Sequence, residues 1–483
     1  MGFDYTKLGF KAGLEIHQQL EGNKLFCNCP GYLRSEKPDL LVTRKLHAVA
    51  GESGEVDAAV KHEAGLDKTF VYEYYNDSNC LIELDEEPPK KINEHALNEA
   101  LKIALLLNCE IYFDTQVMRK TVIDGSNTSG FQRTTLIAKN GYVETRFGKV
   151  PVATVCLEED SARTVGDKEE QEENVRVWRL DRLGIPLIEI ATEPAIINPE
   201  QIKEAALKIG EVLRACKVKR GIGTIRQDIN ISIKGHERVE IKGFQDPGMM
   251  VITSDKEIER QLNDIKEKKT DGEVRGALPN GETKFNRPMP GKARMYPETD
   301  LPLLHIPLQR INELKKNLPR LRQDIKEELK KKGLNDELIN LVLDGNLDDF
   351  NLLMKVHDNA NLVAKMVTLW RNEFATKYKK SFEEVREILN EVLLEKILEG
   401  VEKEEIGEGD VKGILIKIMN GEDVEKAMKI EKVDHNALEE QIHQIVKENP
   451  GLRAGAYMGI IIGKLGVNVD KRKAMEILSR IVK

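Results

Sequence analysis

The segment from Gly223 to Lys234 alternates polar and apolar residues with a period of two, interrupted only at Gln227. Side chains of a strand point alternately to its two faces, so this pattern predicts a strand with one buried and one solvated face. Residues 238–242 repeat the alternation, and Gly235 and His236 supply a turn, which predicts a hairpin. Such a pattern is typical of an antiparallel sheet with one wet face.

The run from Gly13 to His17 is the first candidate for chemistry on that face. Read as a strand, it points Glu15 and His17 one way and Leu14 and Ile16 the other. A carboxylate and an imidazole two residues apart have the right spacing to hold a metal ion together. The alternative is a pair of ordinary solvated residues.

Two later segments also read as strands that carry acids. The strand Val150 to Asp160 ends in three consecutive acids, of which Glu159 shares a face with the apolar residues and Glu158 faces the other way. The strand over residues 185–193 carries Glu189. Adjacent carboxylates repel each other unless a cation or solvent relieves the repulsion.

Alternation lets several of these residues collect on one polar face, although they lie far apart in the sequence. They are Glu15, His17, Glu159, Glu189, Asp228 and Glu240, with Arg226 and Lys242 beside them. Carboxylates, one histidine and interspersed cations fit one or two Mg²⁺ ions and a polyphosphate. A solvated sheet face is the alternative. The sequence lacks a P-loop, a Gly-x-Ser-x-Gly elbow and a cysteine-containing glutaminase signature.

Two shorter motifs leave alternatives open. Cys27 and Cys29 could form half of a zinc site, but zinc normally has four ligands, and only His47 and Cys80 are nearby candidates, so zinc is doubtful. The segment 124–130 reads as an exposed hairpin tip or as a mobile loop that closes over an anion. Asn140-Gly141 is a hairpin signal.

Composition places limits on the class of protein. The net charge of −8 over 483 residues excludes a uniformly basic nucleic-acid binder, while local basic patches allow RNA contact. There is no apolar run of about 18 residues and no signal-peptide pattern at the start, so we expect a cytoplasmic protein without a membrane segment. Six scattered cysteines do not indicate a disulfide framework.

Beyond about residue 307 the pattern becomes wholly helical, which predicts a domain boundary there. Near the end, Gly455, Gly459 and Gly463 recur every four residues. We expect this stripe to permit close packing of helix on helix, and the alternative is close approach of the backbone to a phosphate.

Six motifs resemble, in the same order, the B/E subunits of tRNA-dependent amidotransferases, and most of all the archaeal E type. They read AGLEIHQQLEGNKLFCNCP, VATVCLEEDSAR, RLGIPLIEIATEP, GTIRQDINISI, RVEIKGFQ and RMYPETDLPLL. The resemblance implies an α+β fold. It consists of an antiparallel-sheet cradle domain over residues 1–307, a helical domain over 308–430 and a small helical, YqeY-like tail over 431–483 that contacts tRNA.

The resemblance also implies an activity. Such subunits use ATP and Mg²⁺ to phosphorylate the γ-carboxylate of glutamate on tRNA(Gln), and ammonia then displaces the phosphate to give glutaminyl-tRNA. In archaea an asparaginase-like amidase, the D subunit, supplies the ammonia, and we expect a heterotetramer. The implied metal ligands are His17, Glu159 and Glu240, with Glu15 and Asp228 for a second ion. Lys120, Arg226 and Lys242 are implied contacts of phosphate or carboxylate.

The sequence departs from the family in two ways. Archaeal E subunits usually carry an inserted domain after the MYPETD segment, whereas here Leu301 to Leu304 runs straight into the helical region. Related bacterial subunits often have a second cysteine pair, which this chain lacks. Two alternatives stay open: a non-catalytic tRNA-binding scaffold, and a B-type subunit that also acts on Asp-tRNA(Asn).

Overall fold

A computed structural model describes residues 3–46, 68–166, 174–289, 295–429, 435–465 and 471–481. The chain divides after Leu321 into two compact units. The first unit is mixed α/β and the second is helical, which confirms the predicted fold class. The predicted domain limits at 307 and 430, and the likeness of the tail to a YqeY-like domain, stay predictions.

The first unit contains strands β1 to β17, many of them short. Their bounds are Lys11–Gln19, Leu40–Arg44, Thr69–Tyr74, Glu110–Ile111, Asp114–Thr115, Val117–Thr121, Phe131–Thr145, Gly148–Glu159, Arg163–Thr164, Val175–Arg179, Pro186–Thr192, Ile225–Ser232, Val239–Phe244, Glu273–Ala277, Thr283–Pro288, Met295–Pro297 and Leu304–His305. It also contains helices α1 to α4, at Glu94–Leu106, Pro199–Ala215, Pro247–Glu267 and Leu308–Lys316.

An 11-stranded sheet forms the centre of this unit, in the order β15-β14-β13-β12-β1-β11-β8-β7-β6-β16, with β4 paired to β7. All of its pairings are antiparallel except β13 with β14. The predicted hairpin of β12 and β13 is present. A second sheet has the order β2-β3-β10-β9, and β17 pairs with β5.

One face of the central sheet is covered by an apolar core. Helices α1, α2 and α3 contribute most of the helical residues in this core. Leu14, Ile16, Leu157 and Ile188 of the sheet share a buried cluster with apolar residues of these helices. In the sequence, Asn93 and Asn198 each precede an amphipathic run, which predicts a helix start at each of them. Both starts are confirmed, because Asn93 and Asn198 accept main-chain N–H bonds at the first turns of α1 and α2. Burial of this face leaves the opposite face of the sheet for charged residues.

In its described residues, the second unit contains helices α5 to α16 and one short 3₁₀ turn at Glu408–Asp410. The helices are Arg322–Lys331, Asp336–Leu343, Leu347–Leu353, Ala360–Val367, Leu369–Tyr378, Phe382–Ile388, Glu391–Glu402, Val411–Met419, Val424–Ala427, His435–Glu448, Ala454–Leu465 and Lys471–Ile481. The last three pack around their own apolar cluster, which includes Leu438, Tyr457 and Leu478. For Gly455 and Gly459, an added Cβ would meet nothing within 4 Å, so these two positions do not show the expected close packing.

The structure differs from the sequence predictions at two loops. Asn140 and Gly141 do not form a hairpin turn, because β7 continues through them to Thr145, with Asn140 at a φ of 55°. The segment 124–130 is not an exposed tip, since Ser126, Asn127 and Thr128 are buried. The hydroxyl of Thr128 donates a 2.6 Å hydrogen bond to the main-chain oxygen of Glu83.

Among the described residues, none of the helices has the length and apolar character required to cross a membrane.

Candidate active site

A row of charged side chains crosses the face of the central sheet that lies opposite the helices. The register of β1 sets its middle, because Glu15 is paired with Asp228 of β12 and His17 with Glu189 of β11. Next to β11, Glu158 of β8 is paired with Leu187, two residues from Glu189. Directly paired residues share a face, so segments far apart in sequence place these side chains together.

Two groups within this row have metal-ligand geometry, and both include His17. One ligand atom from each of Glu15, His17 and Asp228 lies within 4.8 Å of the other two, and the same holds for His17, Glu158 and Glu189. The His17 ring nitrogen Nε2 is 3.2 Å from Glu189 Oε2 and 3.6 Å from Glu15 Oε1. A divalent cation with oxygen and nitrogen ligands fits either group.

The charge state of the row reflects its burial and crowding. Burial and the Glu189 carboxylate raise the pKa of Glu15. Burial lowers the pKa of His17, but the carboxylates of Glu189, Glu15 and Glu158 outweigh it, and the net pKa is raised. Burial also opposes ionisation of Glu189, yet Lys120 and His17 hold its pKa well below the ordinary value. The surrounding carboxylates therefore favour the protonated, cationic form of His17.

Lysines close the two ends of the row. Lys120 of β6 contacts Glu158 Oε1 at 2.7 Å and Glu189 Oε2 at 3.3 Å. Lys242 of β13 contacts Asp228 Oδ2 at 2.8 Å and Glu240 Oε1 at 2.5 Å. Each ammonium therefore lies between two carboxylates of the row.

Glu240 is therefore at the edge of the row and not in either three-residue group. Its contact is with Lys242, which also contacts Asp228. Arg226 is paired with His17 across β1 and β12, but its guanidinium donates to Asp160 Oδ1 at 3.0 Å. Asp160 also accepts a 2.6 Å hydrogen bond from Gln19. Arg226 therefore lies beside the row, and its guanidinium is paired with the Asp160 carboxylate.

Glu159 is not brought to His17. It is paired with Pro186 and lies two residues after Leu157, whose side chain is in the core. Side chains alternate along a strand, so Glu159 lies on the same face as Leu157 and on the opposite face from Glu158. There Arg133 Nη1 approaches Glu159 Oε1 at 3.4 Å, and Arg133 Nε donates to the buried Glu298 at 2.8 Å. Glu158 and Glu189 take the place beside His17 that the resemblance gave to Glu159.

A second cluster of potential metal ligands lies at Cys27, Cys29, Cys80 and Glu83. Ligand atoms of the four residues lie within 4.8 Å of one another. Cys27 Sγ donates to Glu83 Oε1 at 2.9 Å, and the Cys80 main-chain N–H donates to Glu83 Oε2 at 2.7 Å. Hydrogen bonds from Cys27 and Cys80 lower the pKa of Cys29 to about 4. Three sulfurs and one carboxylate form a set that zinc accepts.

The sequence suggested Cys80 as a possible partner of the cysteine pair, and the structure brings it there. The other candidate, His47, lies outside the described residues. The fourth member, Glu83, was not predicted, because a glutamate in an acidic segment carries no signal of its own. Lys24 Nζ lies 3.4 Å from Glu83 Oε1, and both side chains are buried, so the cluster has a compensating cation.

The sequence matches the family described as the GatB/GatE catalytic domain over residues 10–312, which contain the whole charged row. The chain is 38% identical over 509 aligned positions to the E subunit of the glutamyl-tRNA(Gln) amidotransferase of Methanocaldococcus jannaschii, covering 76% of this chain and 80% of the relative. It is 50% identical over 271 positions to the protein of the same description from Methanococcus vannielii, covering 55% of this chain and 42% of that relative. A third, from Methanothermobacter thermautotrophicus, is 34% identical over 497 positions, covering 75% and 80%.

The chain belongs to the GatB/GatE family. It is similar to E subunits along most of its length, and the resemblance inferred from six motifs is thereby confirmed.

The comparison with the Methanocaldococcus relative also bears on the inserted domain of GatE proteins. Since 76% of 483 residues is about 367, roughly 140 of the 509 aligned positions hold a residue in the relative and none in this chain. The lack of an inserted domain after the MYPETD segment stays a prediction. In this chain Met295–Pro297 of that segment instead forms the edge strand β16 against β6.

Proposed function

We propose that this chain is the subunit of a tRNA-dependent amidotransferase that converts glutamate attached to tRNA(Gln) into glutamine. An oxygen of the γ-carboxylate attacks the γ-phosphorus of ATP, and ADP leaves. Ammonia then attacks the acyl carbon, and phosphate leaves and takes up the proton that the nitrogen loses. The single observation that carries this proposal is the charged row around His17, which lies within the family's catalytic domain.

Both reacting partners are anions, so the site must supply positive charge at two places. Lys120 and Lys242 stand at the two ends of the row and are suited to orient a carboxylate or a phosphate. The residues that would hold Mg²⁺ are Glu15, His17 and Asp228 in one group and His17, Glu158 and Glu189 in the other. When bound, Mg²⁺ neutralises the charge that accumulates on the phosphate oxygens during the transfer.

The ammonia in this proposal comes from a separate amidase, an asparaginase-like D subunit, with which the chain forms a heterotetramer. The support is chemical, because the sequence carries no glutaminase signature of its own. A cytoplasmic location follows from the proposed tRNA substrate. The tail helices α14 to α16 are proposed to contact the tRNA.

We further propose that the cluster of Cys27, Cys29, Cys80 and Glu83 holds one zinc ion with a structural role. All four candidate ligands come from the protein, which leaves no coordination position for water. Zinc sites with four protein ligands are structural. The zinc would tie residues 27–29 to residues 80–83 beside Lys24.

The experiment that tests the main proposal uses the full chain, Glu-tRNA(Gln), ATP and free ammonium, with no partner protein. We expect glutaminyl-tRNA and a stoichiometric amount of ADP. Absence of product with ammonium, while the same tRNA still binds, would refute the proposal in favour of a non-catalytic scaffold. Conversion of Asp-tRNA(Asn) in a parallel reaction would identify the broader B-type activity.

A further inference from the structure

Gln132 and Thr134 project from β7 onto the charged face, next to Glu158. Thr134 is directly paired with Glu158, and Lys120 is directly paired with Gln132, so all four side chains share one face. Thr134 Oγ1 donates to Glu158 Oε1 at 2.8 Å, and Gln132 Nε2 donates to Glu158 Oε2 at 3.1 Å. Neither residue is a metal ligand or a charged group, and neither was singled out by the sequence patterns.

These donors are distributed unevenly over the two oxygens of Glu158. Oε1 accepts from both Lys120 and Thr134, whereas Oε2 accepts from Gln132. Each carboxylate oxygen offers about two lone-pair positions. Both lone-pair positions of Oε1 are therefore occupied, and one lone-pair position of Oε2 is left.

Gln132 is itself fixed by a second bond. Its Nε2 also donates to the main-chain oxygen of Glu159 at 2.6 Å, so one amide ties the Glu158 side chain to the neighbouring peptide group. Both amide hydrogens are used in this way. Because Glu158 is only 1% exposed, water does not compete for these bonds.

We propose that Thr134 and Gln132 are positioning residues that hold the Glu158 carboxylate in the orientation in which one of its oxygens lies with His17 and Glu189 as a ligand of a shared divalent cation. This inference rests on the proposed function, and it assigns the two residues to the cation site within it. They act through Glu158, in the way that outer hydrogen-bond partners orient the ligands of metal sites generally.

Thr135 provides a matched control within the same strand. It is adjacent to Thr134 and fully buried, but it is paired with Leu157 and so lies on the core face. Among the described residues its hydroxyl has no hydrogen-bond partner. Replacement of either threonine by valine removes one hydroxyl at nearly constant shape, and only one of the two hydroxyls bonds Glu158.

The test titrates Mn²⁺ into the full chain without ATP or tRNA and follows free Mn²⁺ by electron paramagnetic resonance. We expect Thr134→Val to weaken Mn²⁺ binding by about 10-fold to 100-fold, Thr134→Ser to retain wild-type binding, and Thr135→Val to bind as wild type. Gln132→Met serves as a second variant and is expected to weaken binding in the same range. Melting temperatures confirm that each variant is folded.

Wild-type Mn²⁺ affinity in Thr134→Val and Gln132→Met, or equal weakening in Thr135→Val, would overturn the inference. The test is separate from that of the proposed function. If amidation fails while Thr134→Val still weakens Mn²⁺ binding, the positioning role stands and the reaction does not. If amidation succeeds and Mn²⁺ binding is unchanged in Thr134→Val, the reaction stands and the positioning role does not.

Discussion

Replacing Glu158 and Glu159 one at a time by glutamine separates the two faces of the sheet. Glu158 contacts Lys120 on the charged face, whereas Glu159 contacts Arg133 on the other. We expect Glu158→Gln to weaken divalent-cation binding by about 100-fold or more. Loss of a residue that only hydrogen-bonds a metal ligand typically lowers metal affinity by about 10-fold to 100-fold, and Glu158→Gln removes a charged ligand itself. Glu159→Gln should leave cation affinity within about two-fold of wild type.

The expected costs in stability also differ. Removing one member of a buried ion pair costs about 3–5 kcal/mol. In Glu158→Gln, Lys120 still has its contact with Glu189 at 3.3 Å, so the expected cost is at the lower end of that range, about 3 kcal/mol. Arg133 keeps Glu298 at 2.8 Å and loses only contacts of 3.3–3.5 Å, so about 2 kcal/mol applies to Glu159→Gln.

Calorimetric titration with Mn²⁺ measures the first quantity, and urea unfolding of the same samples measures the second. Each variant is its partner's control, because the two residues are adjacent and the chemical change is identical. Loss of cation binding in Glu159→Gln with retention in Glu158→Gln would refute the assignment of the two faces. It would restore Glu159 as the ligand that the resemblance implied.

Three further predictions follow from other parts of the fold. Glu298→Ala should destabilise the first unit by about 3–5 kcal/mol in urea unfolding, because Arg119 and Arg133 both lose a fully buried partner; Asp300→Ala, at an exposed site, should cost less than about 1 kcal/mol. Burial opposes ionisation of Asp349, but Arg371 and Arg386 outweigh it and hold its pKa below the ordinary value. Its contribution to the stability of the helical unit is thus present above about pH 4 and lost on acidification; if Asp349→Asn shows the same acid dependence as wild type, the assignment fails. Chelation or Cys29→Ser should release about one zinc per chain, measured by mass spectrometry, and lower the melting temperature; a metal-free wild-type protein would contradict the site.

Local patterns predicted much of the first unit, because they depend on neighbouring residues. Alternation predicted β1 and β12, and capping residues predicted α1 and α2. The pairing of strands was harder to predict, because the pattern of one strand does not show which other strand it pairs with unless a short turn joins the two. The contact of β1 with β11 joins segments about 170 residues apart and appears only in the structure.

The charged row shows the same limit. Alternation correctly placed Glu158 and Glu159 on opposite faces, but both the strand pattern and the resemblance assigned Glu159, and not Glu158, to the face of His17. Glu83 and Gln132 had no distinguishing sequence signal, because their roles come from contacts with distant residues. Helix α3 was not predicted, although Asp246 and Pro247 form a start signal for it.

Anomalous diffraction from crystals of the full chain grown with Mn²⁺ tests the shared cation site most directly. We predict a peak at coordination distance, about 2 Å, from the His17 ring nitrogen Nε2, with oxygens of Glu158 and Glu189 or of Glu15 and Asp228 around it. Ordered His17, Glu15 and Glu189 side chains with no peak among them, at a Mn²⁺ concentration that supports the reaction, would contradict the account.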